Sequence, residues 1–247
     1  MKQILTLILF CSMTTGLFGQ WSVEKNYKLE ANEKLSLDFE YPEIVKISTW
    51  DKQEVQINAR VLINGNDATE DFEISDRRNS GRLSVSSKLR NLNKYDRRNI
   101  IISDDDDDDK VSINSKGNSI TIGKSGKNGK SYYNGTEIEI VVEVILPKNA
   151  VVDVQAKYGM VEVVDAPQEI EVWAKYGGAD IKVDEASIRS LEASTDWGQI
   201  FSNLNSKLSV GGDDMIGKNM RARLSNNKGS SQVRVESEYG NVYLRKN

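Results

Sequence analysis

Apolar and polar residues alternate along most of this chain. Period two is the signature of a strand with one face on a core and the other in water. Lys34-Leu-Ser-Leu-Asp-Phe-Glu40 shows it, as do Val45-Lys-Ile47, Val55-Gln-Ile-Asn-Ala59 and Leu83-Ser-Val85. Glu137 to Leu146 predicts a longer strand, ended by a turn at Pro147-Lys148-Asn149. Beyond Gly19, no stretch long enough for a helix carries helical periodicity. The pattern therefore predicts an all-β fold.

After Pro147 the strands shorten and begin to repeat. Val152 to Tyr158 reads as a strand, Gly159 as a turn, Met160 to Val164 as a second strand and Asp165-Ala166-Pro167 as a corner. Ile170 to Tyr176 then starts the cycle again. Four aromatic-glycine pairs punctuate this region: Tyr158-Gly159, Tyr176-Gly177, Trp197-Gly198 and Tyr239-Gly240. Two of them close the identical tetrapeptide Ala-Lys-Tyr-Gly, at 156–159 and 174–177. The steps from Tyr158 to Tyr176 and from Tyr176 to Trp197 are nearly equal, and the step from Trp197 to Tyr239 is twice as long.

Self-similarity at a period of about 20 residues marks stacked coils. Residues 147–247 are thus expected to form a short β-solenoid of the β-helix or β-roll kind. The longer strands of residues 20–146 are expected on the same stack. Gly159, Gly177, Gly198 and Gly240 are read as structural turns that take positive φ. A degenerate repeat between Trp197 and Tyr239 would turn at Gly217 or at Gly229. The last strand, Asn241 to Lys246, ends in charge, which would blunt an otherwise open sheet edge.

The pattern breaks between about residues 91 and 135. Here lie the run Asp104 to Asp109 and a segment rich in Lys, Gly and Ser, so a disordered polar insertion is expected. Asn134-Gly135-Thr136 fits both a glycosylation sequon and an Asn-Gly turn, and the turn is the preferred reading. At the N-terminus, Lys2 precedes an apolar run from Ile4 to Met13 and a mostly small-residue stretch to Gly19. This reads as a secretory signal over residues 1–19, too short to span a bilayer. An exported protein is expected, periplasmic or at the cell surface, with no transmembrane segment once the signal is removed.

Composition narrows the chemistry. The chain has no histidine, and its one cysteine, Cys11, lies within the signal-like segment. Ser-His-Asp and Cys-His nucleophile systems and the usual zinc sites are therefore excluded. A net charge of −4 argues against nucleic acid, whose binding rests on cation–phosphate contacts. No catalytic residue and no cofactor is assigned.

Three features remain as candidates. Tyr158, Tyr176, Trp197 and Tyr239 would align in a stacked fold, either as a packed ladder that fixes register or as an aromatic platform for sugar rings. Trp173 lies three positions before Tyr176, so the two point to opposite faces of a straight strand. Asp104, Asp106 and Asp108 are weak metal candidates, because consecutive aspartates alternate in direction and lack the spacing of a calcium loop. The adjacent pairs Asp184-Glu185 and Asp213-Asp214 are weak acid/base candidates for carbohydrate chemistry. Partners of the aromatic column would be envelope glycans or surface proteins.

The motifs together resemble the bacterial putative-adhesin family of exported β-solenoid envelope proteins, common in Bacteroidota. The likeness rests on Leu35 to Phe39, on Ile44 to Ile57 and on the repeated Tyr-Gly-x-Val/Ala-x-Val/Ile units, and covers most of residues 30–247. The resemblance implies surface adhesion and brings no catalytic residues. The function expected is a non-enzymatic envelope interaction module. A carbohydrate-binding module and a carboxylate-dependent carbohydrate-active enzyme are the alternatives.

Overall fold

The structure is a computed structural model and describes residues 23–95, 98–102, 131–211, 219–225 and 229–247. The signal-like segment, the aspartate run with Asp104, Asp106 and Asp108, Asp213-Asp214 and Gly217 lie outside the described residues. The fold is all-β. Two nine-stranded sheets and one two-stranded ribbon carry nearly all the regular structure, and the described helical turns are two short ones, Thr69–Asp71 and Leu92–Lys94. Among the described residues, no helix is long and apolar enough to cross a membrane.

The alternation read from the sequence becomes strands at the expected places. Lys34–Phe39 buries Leu35, Leu37 and Phe39 and turns Lys34, Ser36 and Asp38 outward. Ile138–Pro147 and Glu54–Ile63, the two longest strands of the first sheet, pair in antiparallel fashion near one of its edges. A single apolar cluster draws on both sheets, from Leu35 and Ile47 at one end to Leu191 and Leu244 at the other. Burial of these aliphatic side chains, at about 25 cal/mol per Å² of apolar area, is the main stabilising term.

Five strand pairs cross repeatedly between the two sheets, and we call each pair a tier. Tier one is Lys34–Phe39 with Ile44–Trp50, and tier two is Val151–Ala156 with Met160–Val163. Tier three is Glu169–Ala174 with Ala179–Val183, and tier four is Ile188–Thr195 with Ile200–Ser202. Tier five is Ser231–Ser237 with Val242–Lys246. The first strand of each tier lies in the second sheet and the second strand in the first sheet, and neighbouring tiers pair in parallel.

The spatial order of the tiers departs from chain order. In the second sheet Ser231–Ser237 lies between Glu169–Ala174 and Ile188–Thr195. In the first sheet Val242–Lys246 lies between Ala179–Val183 and Ile200–Ser202. Tier five is therefore inserted between tiers three and four. The final strand is interior, not the charged edge expected from the sequence. The edge at this end of the first sheet is the short strand Ile200–Ser202.

Among the described residues, the chain between tiers four and five adds no further tier. It runs through Ser209–Gly211 and Met220–Ser225, antiparallel strands that extend the second sheet beyond tier four. Gly229 sits at the start of tier five, pressed against the backbone of Ile188. Within the polar insertion, Arg98–Ile102 and Ser131–Gly135 pair as an antiparallel ribbon. Asn134-Gly135 thus ends a strand and is not a hairpin turn.

Candidate functional site

Each tier changes sheets through the same element: a buried strand end, a charged residue, an aromatic ring and a tight turn. The five versions, in spatial order, are Phe39-Glu-Tyr-Pro42, Ala156-Lys-Tyr-Gly159, Ala174-Lys-Tyr-Gly177, Ser237-Glu-Tyr-Gly240 and Thr195-Asp-Trp-Gly198. The backbone ladder continues through these turns. Tyr176 N–H donates to the Lys157 carbonyl at 3.0 Å, Tyr239 N–H to Lys175 at 3.0 Å and Trp197 N–H to Glu238 at 3.0 Å. Parallel strands one hydrogen bond apart hold equivalent side chains at about 4.8 Å spacing. The rings have no other place to go than onto one another.

They stack accordingly. Tyr41 and Tyr158 have ring centroids 5.3 Å apart with planes at 8°, Tyr158 and Tyr176 5.2 Å apart at 19°, and Tyr176 and Tyr239 5.3 Å apart at 10°. Trp197 follows Tyr239 in the backbone ladder, with its side chain 57% exposed. Three predicted residues, Tyr158, Tyr176 and Tyr239, are thus brought into one column, and Trp197 extends its line. Trp173 stands apart on the outer face of its strand, in register with Gln155 and Glu236, as its parity required.

Tyr41 was missed by sequence reading because proline stands where the other tiers have glycine. A second stack was also missed: Phe201 and Tyr243 lie 5.3 Å apart at 14°, in register across tiers four and five.

Three of the four glycines have a different reason from the one the sequence suggested. Of the four, only Gly159 takes positive φ, at 74°. The others are required by close approach of successive turns. A Cβ on Gly177 would lie 1.5 Å from the Gly159 carbonyl oxygen, one on Gly240 2.0 Å from that of Gly177, and one on Gly198 2.0 Å from that of Gly240. Real Cβ atoms do not approach so closely, so the turns can nest only without side chains.

Tiers four and five add hydroxyl clamps. The Ser237 hydroxyl accepts the Gly240 N–H at 2.9 Å and donates to the Gly177 carbonyl at 3.0 Å. The Thr195 hydroxyl accepts the Gly198 N–H at 2.9 Å and donates to the Gly240 carbonyl at 2.9 Å. Both side chains are buried. Charges beside the rings pair between tiers: Lys157 with Glu40 at 3.7 Å and Lys175 with Glu238 at 3.5 Å. Hydrogen bonding to Glu238, and its negative charge, push the Tyr239 hydroxyl above the usual phenol range.

This geometry determines what the column can touch. The faces of Tyr158 and Tyr176 are covered by neighbouring rings, so these rungs offer solvent their edges. A pyranose ring stacks on an aromatic face, so the inner rungs are no sugar platform of that kind. The column instead presents a straight, ridged strip with charges beside it.

The carboxylate pair Asp184-Glu185 is occupied by local structure. Asp184 Oδ1 accepts the Ala186 N–H at 3.0 Å. Glu185 accepts the N–H groups of Asn205 at 2.8 Å and Ser206 at 2.7 Å, and hydrogen bonds from Ser206 and Asn205 hold its carboxyl below its ordinary range. Among the described residues, no three acidic, histidine or cysteine side chains group as a metal site.

No family model and no curated protein matches the chain. A solved structure of a putative cell adhesion protein from Clostridium sporogenes is similar over 91% of this chain and 99% of that one, with 12% identity and a TM-score of 0.44. A likeness at that level carries no argument about function. The resemblance to the putative-adhesin family continues to rest on the sequence motifs themselves.

Proposed function

We propose that the protein is an exported, non-enzymatic interaction module of the cell envelope, adhesin-like in role, and that its five tiers are a short β-solenoid carrying an aromatic contact strip. One observation carries the reading: Tyr158, Tyr176, Tyr239 and Trp197 form an exposed line fixed rung by rung by the backbone ladder. Exposed large aromatics in a row are what recognition surfaces use, because rigid rings contribute contact area at low entropic cost. The signal-like N-terminus favours export. The absence of histidine, and of cysteine beyond the signal-like segment, favours binding over catalysis.

A tryptophan-fluorescence titration of the purified protein tests this, with envelope glycans and surface proteins as probes. The expected result is a saturable shift that both Trp197→Ala and Tyr176→Ala weaken. A full set of probes with no shift, or a shift that neither substitution changes, would overturn the strip as the contact surface. The carbohydrate-binding reading is favoured at one point alone, Trp197, whose exposure of 57% exceeds that of the tyrosines. A shift lost in Trp197→Ala but kept in Tyr176→Ala would select that reading.

A further inference from the structure

Tier five follows tier four in the chain, yet it sits inside the stack, between tiers three and four. Its strand Ser231–Ser237 is in parallel register with both neighbours, from Glu169↔Gln232 to Ala174↔Ser237 on one side and from Ser190↔Gln232 to Thr195↔Ser237 on the other. Val242–Lys246 is likewise paired on both sides. Val233, Val235, Val242 and Leu244 fill the core between tiers three and four. Arg245 holds the nearly buried Asp180 of tier three through two nitrogens, and the Asn247 N–H closes on the Val183 carbonyl at 3.1 Å.

Tier four depends on this segment. Among the described residues its strands pair with tier five and with Met220–Ser225, and not with tier three. Without residues 229–247 both sheets would show two open edges facing one slot, with the Gly177 carbonyl robbed of its hydroxyl donor. Open edges and unpartnered buried groups are costly, so the slot demands an occupant.

We infer that residues 229–247 are an exchangeable strand pair, and that the slot between tiers three and four accepts the same segment from a second copy of this chain. The fit of that occupant is already displayed, because the second copy's segment is identical to the one seated there. Exchange reproduces every register pair, the Ser237 clamp and the Arg245 ion pair across two molecules. Exchange of identical elements of this kind is a low-cost route to dimers. The inference is independent of what the aromatic strip binds.

Cysteine pairing tests it directly. In a Cys11→Ser background, Lys175→Cys and Glu238→Cys are made as separate full-length proteins. These positions are adjacent across tiers three and five, within disulfide reach for neighbouring strands. The two are mixed at high concentration, warmed briefly to the unfolding midpoint, cooled and oxidised. The expected product is a 175–238 heterodimer, at least about tenfold above that from a mixture of Lys157→Cys with Glu238→Cys, where tier two replaces tier three.

A yield no greater than this control at every concentration overturns the inference. The unsubstituted chain gives a second readout, since light scattering after the same cycle must show dimer that increases with concentration. Monomer alone from the unsubstituted chain overturns it as well.

Discussion

Tiers two and three, and tiers five and four, solve the same turn differently. In tiers two and three the strand ends on Ala156 or Ala174, whose fully buried methyl groups give the turn no hydroxyl of its own, so these turns rest on backbone nesting, ring stacking and, at Gly177, the hydroxyl of Ser237 from tier five. In tiers five and four it ends on Ser237 or Thr195, whose hydroxyls bind their own turn and the turn of the neighbouring tier. The first pair is consecutive in sequence and stacks as it is made. The second pair is assembled out of chain order. A buried hydroxyl has directional partners that an alanine lacks, so it specifies which turn lies next to which. Specificity is added where connectivity does not supply it.

The strongest way to break the comparison is to attack what both halves share. Gly177→Val forces a branched side chain into the Gly159 carbonyl, and is expected to cost roughly 4 kcal/mol or more or to prevent folding outright. Thermal unfolding followed by circular dichroism checks this, and a melting temperature near that of the unsubstituted protein would refute the nesting.

Next comes the clamp. Ser237→Ala leaves the Gly177 carbonyl and Gly240 N–H without their partner, with an expected cost of about 1–3 kcal/mol. Ala174→Ser places the same hydroxyl on a strand whose Gly177 turn already receives the Ser237 hydroxyl, and is not expected to stabilise. Equal and opposite changes from the two substitutions, read by denaturant titration, would erase the distinction between the halves.

Tyr176→Ala removes two ring contacts and is expected to cost about 1–3 kcal/mol, whereas Trp197→Ala at the end of the line is expected to cost under about 1 kcal/mol. Denaturant midpoints at constant slope rank the two.

The smallest effect lies outside the tiers and depends on pH. Asp71 is buried and accepts hydrogen bonds from Lys94, Tyr95 and Asn91, which hold its carboxyl down at about 2. A depressed carboxyl stabilises the fold above its ordinary value near 3.8 and ceases to do so as pH falls through about 2. Acid titration followed by limited proteolysis should show the stretch Asn91 to Tyr95 loosening within that window, and Asp71→Asn should remove the transition.

The strands and the tyrosine column were legible because their signals are local. Alternation marks Leu35, Leu37 and Phe39 as one face, and the repeated Ala-Lys-Tyr-Gly marks two neighbouring turns. Tyr41 escaped because Pro42 replaces the glycine that identified the motif, although Phe39 still ends its strand as a buried residue. The tier order escaped for a stronger reason. The gap between Trp197 and Tyr239 is arithmetically two repeats, but Ser209–Gly211 and Met220–Ser225 run antiparallel and leave the column. Which strands are neighbours is decided by pairing among distant segments, and spacing along the chain does not encode it. The same non-locality turned the supposed edge strand Val242–Lys246 into an interior one. The glycines were located correctly, but the positive φ expected of them holds at Gly159 alone, because close approach of Gly177 to Gly159 becomes visible only when the turns are nested.

The tier order also has a consequence in time. A chain is synthesised from its N-terminus, so tiers one, two and three can zip together as each emerges. Tier four emerges next and finds no seat, because its neighbour in the finished stack has yet to be made. Ile188–Thr195, Ile200–Ser202 and Met220–Ser225 must wait until tier five arrives, and residues 229–247 close both sheets in one late step. The rate of that step is set by joining segments far apart in the chain, which makes tier five the timer of folding.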